Sequence, residues 1–263
     1  MSESSGNLET LQMLKEKIAS ADKVLIGLGE EWKKKDKEEI LKAAYESLFQ
    51  LVKDKDYFIV TMAVDGMIFD TSLGSQTETV ISTDLEPEET FSCPSADEST
   101  IALMDRLFPV NEEKKPVQDK RFQRIVAPCG NENWRQCSVG CTKDIWEAGE
   151  VADDICPHCG APLTGNTIEA SPYIEEGYLP QWEKYTKWLS GTLNRNMVIL
   201  ELGCGFSNPG VIRFPFEKTC FFNQKAFLCR VHKNFPQVMA ELGERAVGVS
   251  AFSPEWLRDF VEK

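Results

Sequence analysis

The sequence predicts an α/β domain built on a parallel sheet and interrupted by a small cysteine-bearing module. Short apolar runs alternate with amphipathic helical segments in the first and last thirds of the chain. That alternation is typical of parallel strands covered by helices on both faces. In the middle of the chain, four of the nine cysteines fall within 23 residues, in two closely spaced pairs. We therefore expect the first third to begin the sheet and the last third to complete it.

The first third of the chain predicts two helices and two strands. Residues 8–19 place leucine and isoleucine at helical spacing, and the apolar residues of 40–52 mark one face of a second helix. Residues 23–29 and 57–64 are mostly apolar and have the length of buried strands. The two strands are expected to belong to one parallel sheet covered by helices on both faces.

Both of these strands end in residues suited to a tight turn. The first ends at Gly27, Leu28 and Gly29, and the second is followed by Asp65 and Gly66. Ligands of open parallel sheets collect beyond the carboxyl ends of the strands. The two turns are therefore candidate walls of a binding site.

The last third of the chain predicts the rest of the sheet. Residues 181–189 have a helical pattern, and residues 197–203 and 225–231 have the composition of a third and a fourth strand. A further helix is expected around residues 236–245. The last helix is expected to begin at Ser253, a favoured N-cap residue that is followed by proline and by apolar residues at helical spacing.

Charge and hydropathy exclude several kinds of partner. The 263 residues carry a net charge of −13, which argues against a broad basic face for nucleic acid. No apolar run approaches the roughly 20 residues of a membrane span, and the first residues lack the pattern of a secretory signal. We expect a cytoplasmic protein that binds neither nucleic acid nor membrane. Acidic residues accumulate between Lys55 and Arg106, a stretch without lysine or arginine, and suggest an acidic insertion or lobe.

The cysteine module has the spacing of a zinc ribbon. Cys137 and Cys141 form the first pair, and Cys156 and Cys159 follow after 14 intervening residues. Four thiolates suit a tetrahedral Zn²⁺, and four protein ligands close the site, so the zinc is expected to be structural. His158 lies inside the second pair, which makes Cys159 the better ligand.

A glycine-rich turn after the third strand offers a different interpretation. Residues 198–205 resemble the first motif of methyltransferases that bind S-adenosylmethionine. A short glycine pair is a weak signal by itself. That motif opens its sheet, whereas only 58 residues follow Gly205, too few for the strands that the fold still needs. We regard the methyltransferase as the weakest alternative.

Several features together resemble the sirtuin family. They are the glycine turn after the first strand, Thr61 and Asp65 after the second, the four-cysteine ribbon, and Gly203, Gly205 and Ser207 after a late strand. The order and spacing match along nearly the whole chain. Sirtuins carry a small zinc domain on a Rossmann-like domain and use NAD⁺ to remove acyl groups from lysine or to transfer ADP-ribose.

The resemblance implies a division of the chain. Residues 1–125 and 165–263 would form a Rossmann-like NAD⁺-binding domain with an acidic insertion at about 66–120. Residues 126–164 would form the zinc-ribbon module, with NAD⁺ in the cleft between the two. The positions that match the family's cofactor-binding residues are Gly27, Gly29, Thr61, Asp65, Gly203, Gly205, Ser207 and Asn223.

The chain departs from the family at the residues that carry chemistry. Glu30 and Glu31 follow the first glycine turn, where the family has a serine at the second of these positions, and two carboxylates are unfavourable beside a pyrophosphate. Ala63 stands where the family has an asparagine that orders reactive water. Cys129 aligns with the family's general-base histidine, so Asp65 and Cys129 are the candidate catalytic residues. Loss of a general base commonly costs about 10²–10⁴ in rate.

Three hypotheses follow from this pattern. The first is an NAD⁺-consuming enzyme, either a deacylase or an ADP-ribosyltransferase, acting on an acylated or lipoylated protein. The second is a catalytically degenerate protein that holds NAD⁺ or ADP-ribose without turnover. The third is a zinc-stabilised module for protein interaction that binds no nucleotide. Saturable binding of NAD⁺ and release of nicotinamide distinguish them.

Overall fold

The computed structural model describes residues 2–33, 37–74 and 124–262. The predicted acidic insertion lies outside these residues from position 75 onward. None of the helices in this part of the chain has the length and apolar composition that a membrane span requires. The helices and strands are, in chain order, α1 (Ser2–Ser20), β1 (Lys23–Leu28), α2 (Glu38–Val52), β2 (Tyr57–Thr61), β3 (Ile125–Val126), β4 (Gly130–Cys137), β5 (Ile145–Glu147), β6 (Leu163–Thr167), α3 (Leu179–Ser190), β7 (Met197–Leu202), α4 (Arg213–Phe222), β8 (Ala226–Val231), β9 (Ala246–Val249) and α5 (Ser253–Glu262).

Six parallel strands form the main sheet, in the order β3-β2-β1-β7-β8-β9. Successive side chains of a strand point to opposite faces. Val24 and Ile26 accordingly pack with Leu14 of α1 and Leu41 of α2, and Leu25 packs on the other face. Both faces are therefore covered by apolar side chains, which confirms the predicted α/β class.

A second sheet carries the cysteines. Its three antiparallel strands lie in the order β5-β4-β6, and β4 pairs with β6 from Gly130 opposite Thr167 to Cys137 opposite Leu163. A backbone hydrogen bond of 2.7 Å from the Glu132 N–H to the Val64 carbonyl links β4 to the segment after β2. The predicted small inserted module is thus present as a separate sheet.

The helix predicted around residues 236–245 is wrong. Residues 236–239 have no regular secondary structure, and a 3₁₀ helix spans Ala240–Arg245. The carbonyl of Gln237 accepts hydrogen bonds from two buried arginines, Arg213 and Arg230. A buried guanidinium without a partner is costly, so the Gln237 carbonyl accepts hydrogen bonds from Arg213 and Arg230 instead of one from within a helix.

The helix α4 was not predicted because its buried face is not apolar. It buries Arg213 and Glu217 together with Phe216 and Cys220, while Phe214 is exposed. Hydrophobic residues at helical spacing therefore do not indicate this helix in the sequence. The short edge strands β3 and β9 were missed as well, because two and four residues give too little pattern.

Candidate functional site

The predicted site residues after β1, β2 and β7 meet at one edge of the parallel sheet, which we call the carboxyl edge. Gly29 donates a hydrogen bond of 2.9 Å to the Leu202 carbonyl, and Met62 donates one of 2.8 Å to the Leu28 carbonyl. A Cβ atom on Gly29 would lie 2.3 Å from the Gly203 carbonyl oxygen. Glycine at position 29 therefore allows the turn after β1 to lie directly against the turn after β7.

Glu30 bridges these two turns through its side chain. Its carboxylate accepts hydrogen bonds from the N–H of Gly205, at 2.6 Å, and from the N–H of Ser207, at 3.1 Å. Burial raises the pKa of Glu30, but hydrogen bonds from the N–H groups of Gly205, Glu30 and Ser207 and from the Ser207 hydroxyl together outweigh that effect, so the net pKa lies below its usual value. The carboxylate is therefore charged near neutral pH, and it binds two of the backbone donors that the resemblance assigns to the cofactor.

Glu31 links the loop after β8 to the start of the last helix, α5, through its carboxylate. One carboxylate oxygen accepts a hydrogen bond of 3.0 Å from the Lys233 N–H, and the other accepts one of 2.8 Å from the Ser253 N–H at the start of α5. Carboxylates stabilise helix N-termini because the first N–H groups have no partner within the helix. The predicted cap Ser253 uses its hydroxyl differently, as the acceptor of a 3.1 Å bond from the Trp32 indole.

His232 lies beside the two glutamates at the end of β8 and is buried. Its Nδ1 accepts hydrogen bonds from the N–H groups of Asn234, at 2.9 Å, and Phe235, at 3.1 Å. Burial lowers the pKa of His232, although the Glu31 and Glu30 carboxylates oppose the change. The ring is therefore neutral at pH 7, and its Nδ1 orders the backbone of residues 234–235.

Thr61 and Asp65 are engaged by the backbone close to them. Thr61 is fully buried, and its hydroxyl accepts a 3.1 Å hydrogen bond from the Ala63 N–H. Asp65 accepts a 3.0 Å bond from the Met67 N–H at the start of a short 3₁₀ helix. Gly66 has φ +72°, and a Cβ atom there would lie 2.7 Å from the Asn133 side chain of the ribbon sheet. This turn brings the end of β2 against the ribbon.

Cys129, the candidate base, is a buried thiol. It is buried just before β4, with 3% of its surface exposed. Burial raises the pKa of its thiol, Lys33 lowers it and Glu30 raises it again, with the net result above the usual value. The reactive form of cysteine is the thiolate, and a raised pKa favours the less reactive neutral thiol.

Two of the predicted cofactor residues have packing or hydrogen-bonding roles inside the domain. Gly27 is inside β1, and a Cβ atom there would lie 2.4 Å from Ile212 and 2.7 Å from Phe216, so glycine permits the packing of α4. Asn223 precedes β8, at the opposite, amino edge of the sheet. It is buried, and its side-chain amide donates a hydrogen bond of 2.9 Å to the Thr192 carbonyl. Asn223 therefore does not reach the carboxyl edge, whereas Gly27 lies next to the end of β1 but faces the packing of α4.

The four predicted cysteine ligands converge at the end of β4. All four sulfur atoms lie within 4.8 Å of one another. Cys137 and Cys159 are 3.6 Å apart, and Cys141 and Cys156 are 3.5 Å apart. A tetrahedral Zn²⁺ with bonds of about 2.3 Å requires sulfur separations of about 3.8 Å. The donor set therefore fits zinc closely.

The surroundings of the cysteines support that assignment. Gly160, at φ +74°, follows the second pair and closes the tight turn. The N–H groups of Cys141 and Val139 lower the pKa of Cys137. His158 lies outside the cluster, with its Nε2 2.7 Å from an Asp144 oxygen. The choice of Cys159 over His158 agrees with this arrangement.

A buried ionic network beneath the carboxyl edge was not foreseen. Arg230 of β8 is fully buried and pairs with both oxygens of Glu201, at 2.6 and 2.8 Å, and with Glu217, at 2.7 Å. Arg213 donates a hydrogen bond of 3.1 Å to the Cys204 carbonyl in the turn that precedes Gly205. The network thereby holds the turn that Glu30 contacts. The signal in the sequence was Glu201 and Arg230 inside otherwise apolar strands.

Comparison with known proteins supports the fold. The chain matches no protein-family profile. A histidine-to-asparagine mutant of a Sir2 homologue in complex with ADP-ribose superimposes with a TM-score of 0.51 at 10% sequence identity, covering 95% of this chain and 94% of that one. The complex of a serine-to-alanine mutant of a Sir2 homologue gives a TM-score of 0.50 at the same identity and coverage.

Curated relatives share only a segment with this chain. A protein ADP-ribosyltransferase of Staphylococcus aureus (strain Mu50 / ATCC 700699) is 24% identical over 94 residues, which is 35% of this chain and 30% of the relative. A probable bifunctional ADP-ribose hydrolase/ADP-ribosyltransferase of Fusarium oxysporum f. sp. cubense is 30% identical over 122 residues, covering 36% of this chain and 20% of the relative. The chain thus spans less than a third of the length of either relative.

The sheet order, the inserted ribbon and these superpositions define the class. It is an α/β protein with a Rossmann-like parallel sheet and a four-cysteine ribbon module. The chain has a divergent form of the Sir2 fold, as the resemblance in its sequence predicts.

Proposed function

We propose that the chain binds the ADP-ribose part of NAD⁺ at the carboxyl edge of its parallel sheet. The convergence of the turns after β1, β2 and β7 at this edge carries the proposal. Gly29, Thr61, Gly203, Gly205 and Ser207 all lie on these turns or at the strand ends that lead into them. Ligands of parallel sheets collect at this edge, and two solved structures with this fold hold ADP-ribose.

Among reactions, ADP-ribosyl transfer has more support than lysine deacylation. Two curated relatives are named as ADP-ribosyltransferases. Deacylation of the sirtuin type uses a general base, whereas Cys129 is buried with a raised pKa. Ala63 supplies no side-chain amide to order water. We propose ADP-ribosyl transfer to a protein, with an acylated or lipoylated protein as the acceptor class, as the activity that accompanies binding.

The ribbon is proposed to hold one structural zinc ion. Cys137, Cys141, Cys156 and Cys159 would supply all four ligands, which leaves no open position for a substrate. The metal would stabilise the turns at the end of β4. It would take no part in the chemistry at the carboxyl edge.

Calorimetric titration of the zinc-loaded protein with ADP-ribose and with NAD⁺ tests the proposed binding. We expect saturable binding of one ligand per chain. Ser207 is exposed at the carboxyl edge and Gln224 is exposed at the amino edge, so the two positions form a matched pair. The variant Ser207→Trp should lose binding because the indole fills the edge, and Gln224→Trp should retain it.

Three results would count against the proposal. They are absence of binding by the wild-type protein, loss of binding in both variants, and equal affinity of all three proteins. Nicotinamide release with candidate acceptor proteins then tests the transfer. Binding without nicotinamide release across acceptors would support the alternative of a protein that holds the nucleotide without turnover.

A further inference from the structure

We propose that Glu30 is an internal anion that occupies the position of a ligand phosphate in the turn formed by residues 205–207. The inference rests on the proposed function. ADP-ribose then binds only after the Glu30 carboxylate leaves the turn. Glu30 thereby determines the affinity of the carboxyl edge for phosphate-containing ligands.

The contacts of Glu30 are those of a bound anion. One carboxylate oxygen lies 2.6 Å from the Gly205 nitrogen, and the other lies 3.1 Å from the Ser207 nitrogen. Backbone N–H groups in a glycine turn form concave sites that bind anions such as phosphate. Glu30 lies 175 and 177 positions before Gly205 and Ser207 in the chain, yet it binds their N–H groups in a geometry that a phosphate group would also satisfy.

While the Glu30 side chain occupies this position, no phosphate group can bind there. A Cβ atom added to Gly205 would lie 3.3 and 3.4 Å from the two Glu30 oxygens, so the carboxylate lies directly over this residue. Glu31 adds a second negative charge next in sequence, bonded to Lys233 and Ser253. A pyrophosphate that approaches the turn meets both a steric block and repulsion between like charges.

The side chain can move without the turn that bears it. The backbone of this turn is held by hydrogen bonds from Gly29 to the Leu202 carbonyl, at 2.9 Å, and from Glu31 to the Gly203 carbonyl, at 3.3 Å. Displacement of Glu30 therefore requires rotation about its side-chain bonds only. The vacated N–H groups of Gly205 and Ser207 would then face the ligand.

The variant Glu30→Gln tests this inference. Glutamine has nearly the same shape and keeps one oxygen acceptor for the turn, but it carries no charge. Hydrogen bonds to charged groups are stronger than neutral ones, so the neutral side chain should be displaced more easily. We expect the Kd for ADP-ribose, measured by calorimetry at constant ionic strength, to fall by about tenfold or more.

Two controls isolate the effect of the anion. Glu244→Gln removes the same charge from an exposed residue that precedes β9 at the amino edge, and should leave the Kd unchanged. Adenosine lacks phosphate, so Glu30→Gln should not tighten its binding. An equal gain for adenosine, or an equal gain in Glu244→Gln, would overturn the inference.

The failure of the inference can be distinguished from that of the proposed function. If the wild type and Glu30→Gln bind ADP-ribose with the same Kd, Glu30 does not compete and the proposed binding stands. If neither protein binds ADP-ribose, both proposals fall.

A measurement on the wild type covers the case in which the variant does not fold. The amide resonances of Gly205 and Ser207 should shift during titration with ADP-ribose, as these N–H groups change their acceptor. Saturable binding without a shift of either resonance would refute the exchange.

Discussion

Two regions of this molecule each collect four groups of one kind. In the ribbon, four thiols lie within 4.8 Å of one another. At the carboxyl edge of the parallel sheet, two adjacent carboxylates accept hydrogen bonds from four backbone N–H groups. The N–H groups belong to Gly205, Ser207, Lys233 and Ser253.

The two regions differ in where the compensating charge originates. Thiolates repel one another, so the ribbon is suited to a cation supplied from outside the chain. The N–H groups favour an anion, and the chain supplies it through Glu30 and Glu31. A site completed by an external ion remains open to that ion, whereas a site completed by a side chain must release it first. The three changes below test this difference, from the largest expected effect to the smallest.

Removing a ligand of the ribbon should have the largest effect. Cys156 is buried in the cluster, and Cys156→Ser is expected to abolish the binding of one zinc ion per chain. Structural zinc contributes roughly 10–16 kcal/mol in zinc-finger peptides, so the ribbon sheet should unfold locally. Metal analysis and limited proteolysis between residues 130 and 167 measure the two consequences.

The matched control is His158→Ala. This residue lies between Cys156 and Cys159, but its side chain bonds to Asp144 outside the cluster. It should retain zinc and resist proteolysis. Full zinc content in Cys156→Ser, or loss of zinc in His158→Ala, would contradict the four-cysteine site.

Breaking the ionic network beneath the carboxyl edge should have an intermediate effect. Glu201→Gln removes the charge that pairs with Nε and Nη2 of the buried Arg230. Arg230 keeps Glu217 as a partner, but Glu217 is then left with two buried arginines, Arg213 and Arg230, close to it. Removing one partner of a buried ion pair costs up to about 3–5 kcal/mol, and we expect a loss towards that size in the free energy of unfolding by urea. The exposed Glu183→Gln should change it by less than about 0.5 kcal/mol. Equal unfolding free energies for wild type and Glu201→Gln would show that the network adds nothing.

Neutralising Glu31 should have the smallest effect. Glutamine keeps only one acceptor oxygen, so Glu31→Gln weakens the bond to Lys233 or the one to Ser253 at the start of α5. Loss of a helix N-cap costs about 1 kcal/mol. Thermal unfolding should show that Glu31→Gln lowers the stability of the protein by about this amount, whereas the control Glu255→Gln, at an exposed position in the first turn of α5, should not lower it. A gain in stability for Glu31→Gln would mean that the two adjacent carboxylates repel more than they bind.

The ribbon and the main strands were predictable from sequence because their signals are local. The spacing of Cys137, Cys141, Cys156 and Cys159 alone predicts a common site. The buried strands β1, β2, β7 and β8 each contain at least four consecutive apolar residues. The helix predicted at residues 236–245 is wrong in part because the Gln237 carbonyl accepts hydrogen bonds from Arg213 and Arg230, a demand that no local pattern in the sequence reveals.

The candidate cofactor site was only partly predictable. The sequence placed Gly29, Gly203 and Gly205 at strand ends, and these turns do meet. It also showed that Glu30 would disfavour a phosphate, but not that Gly205 and Ser207 would become its partners. Asn223 matched a family position in sequence, yet its amide is used at the amino edge. Matching one residue type does not determine which edge of a sheet the residue reaches.

The sequence by itself therefore determined the α/β class, the parallel strands and the cysteine cluster, since periodicity and spacing act over a few residues. Only the tertiary structure decided which groups compensate the charges of the carboxyl edge. Glu30 and its partners are 175 and 177 positions apart in the chain. Their contact depends on the pairing of β1 with β7, in which Leu28 lies opposite Leu202. A shift of that register by one residue would move the turn of Gly205 away from Glu30, because each residue advances a strand by about 3.3 Å.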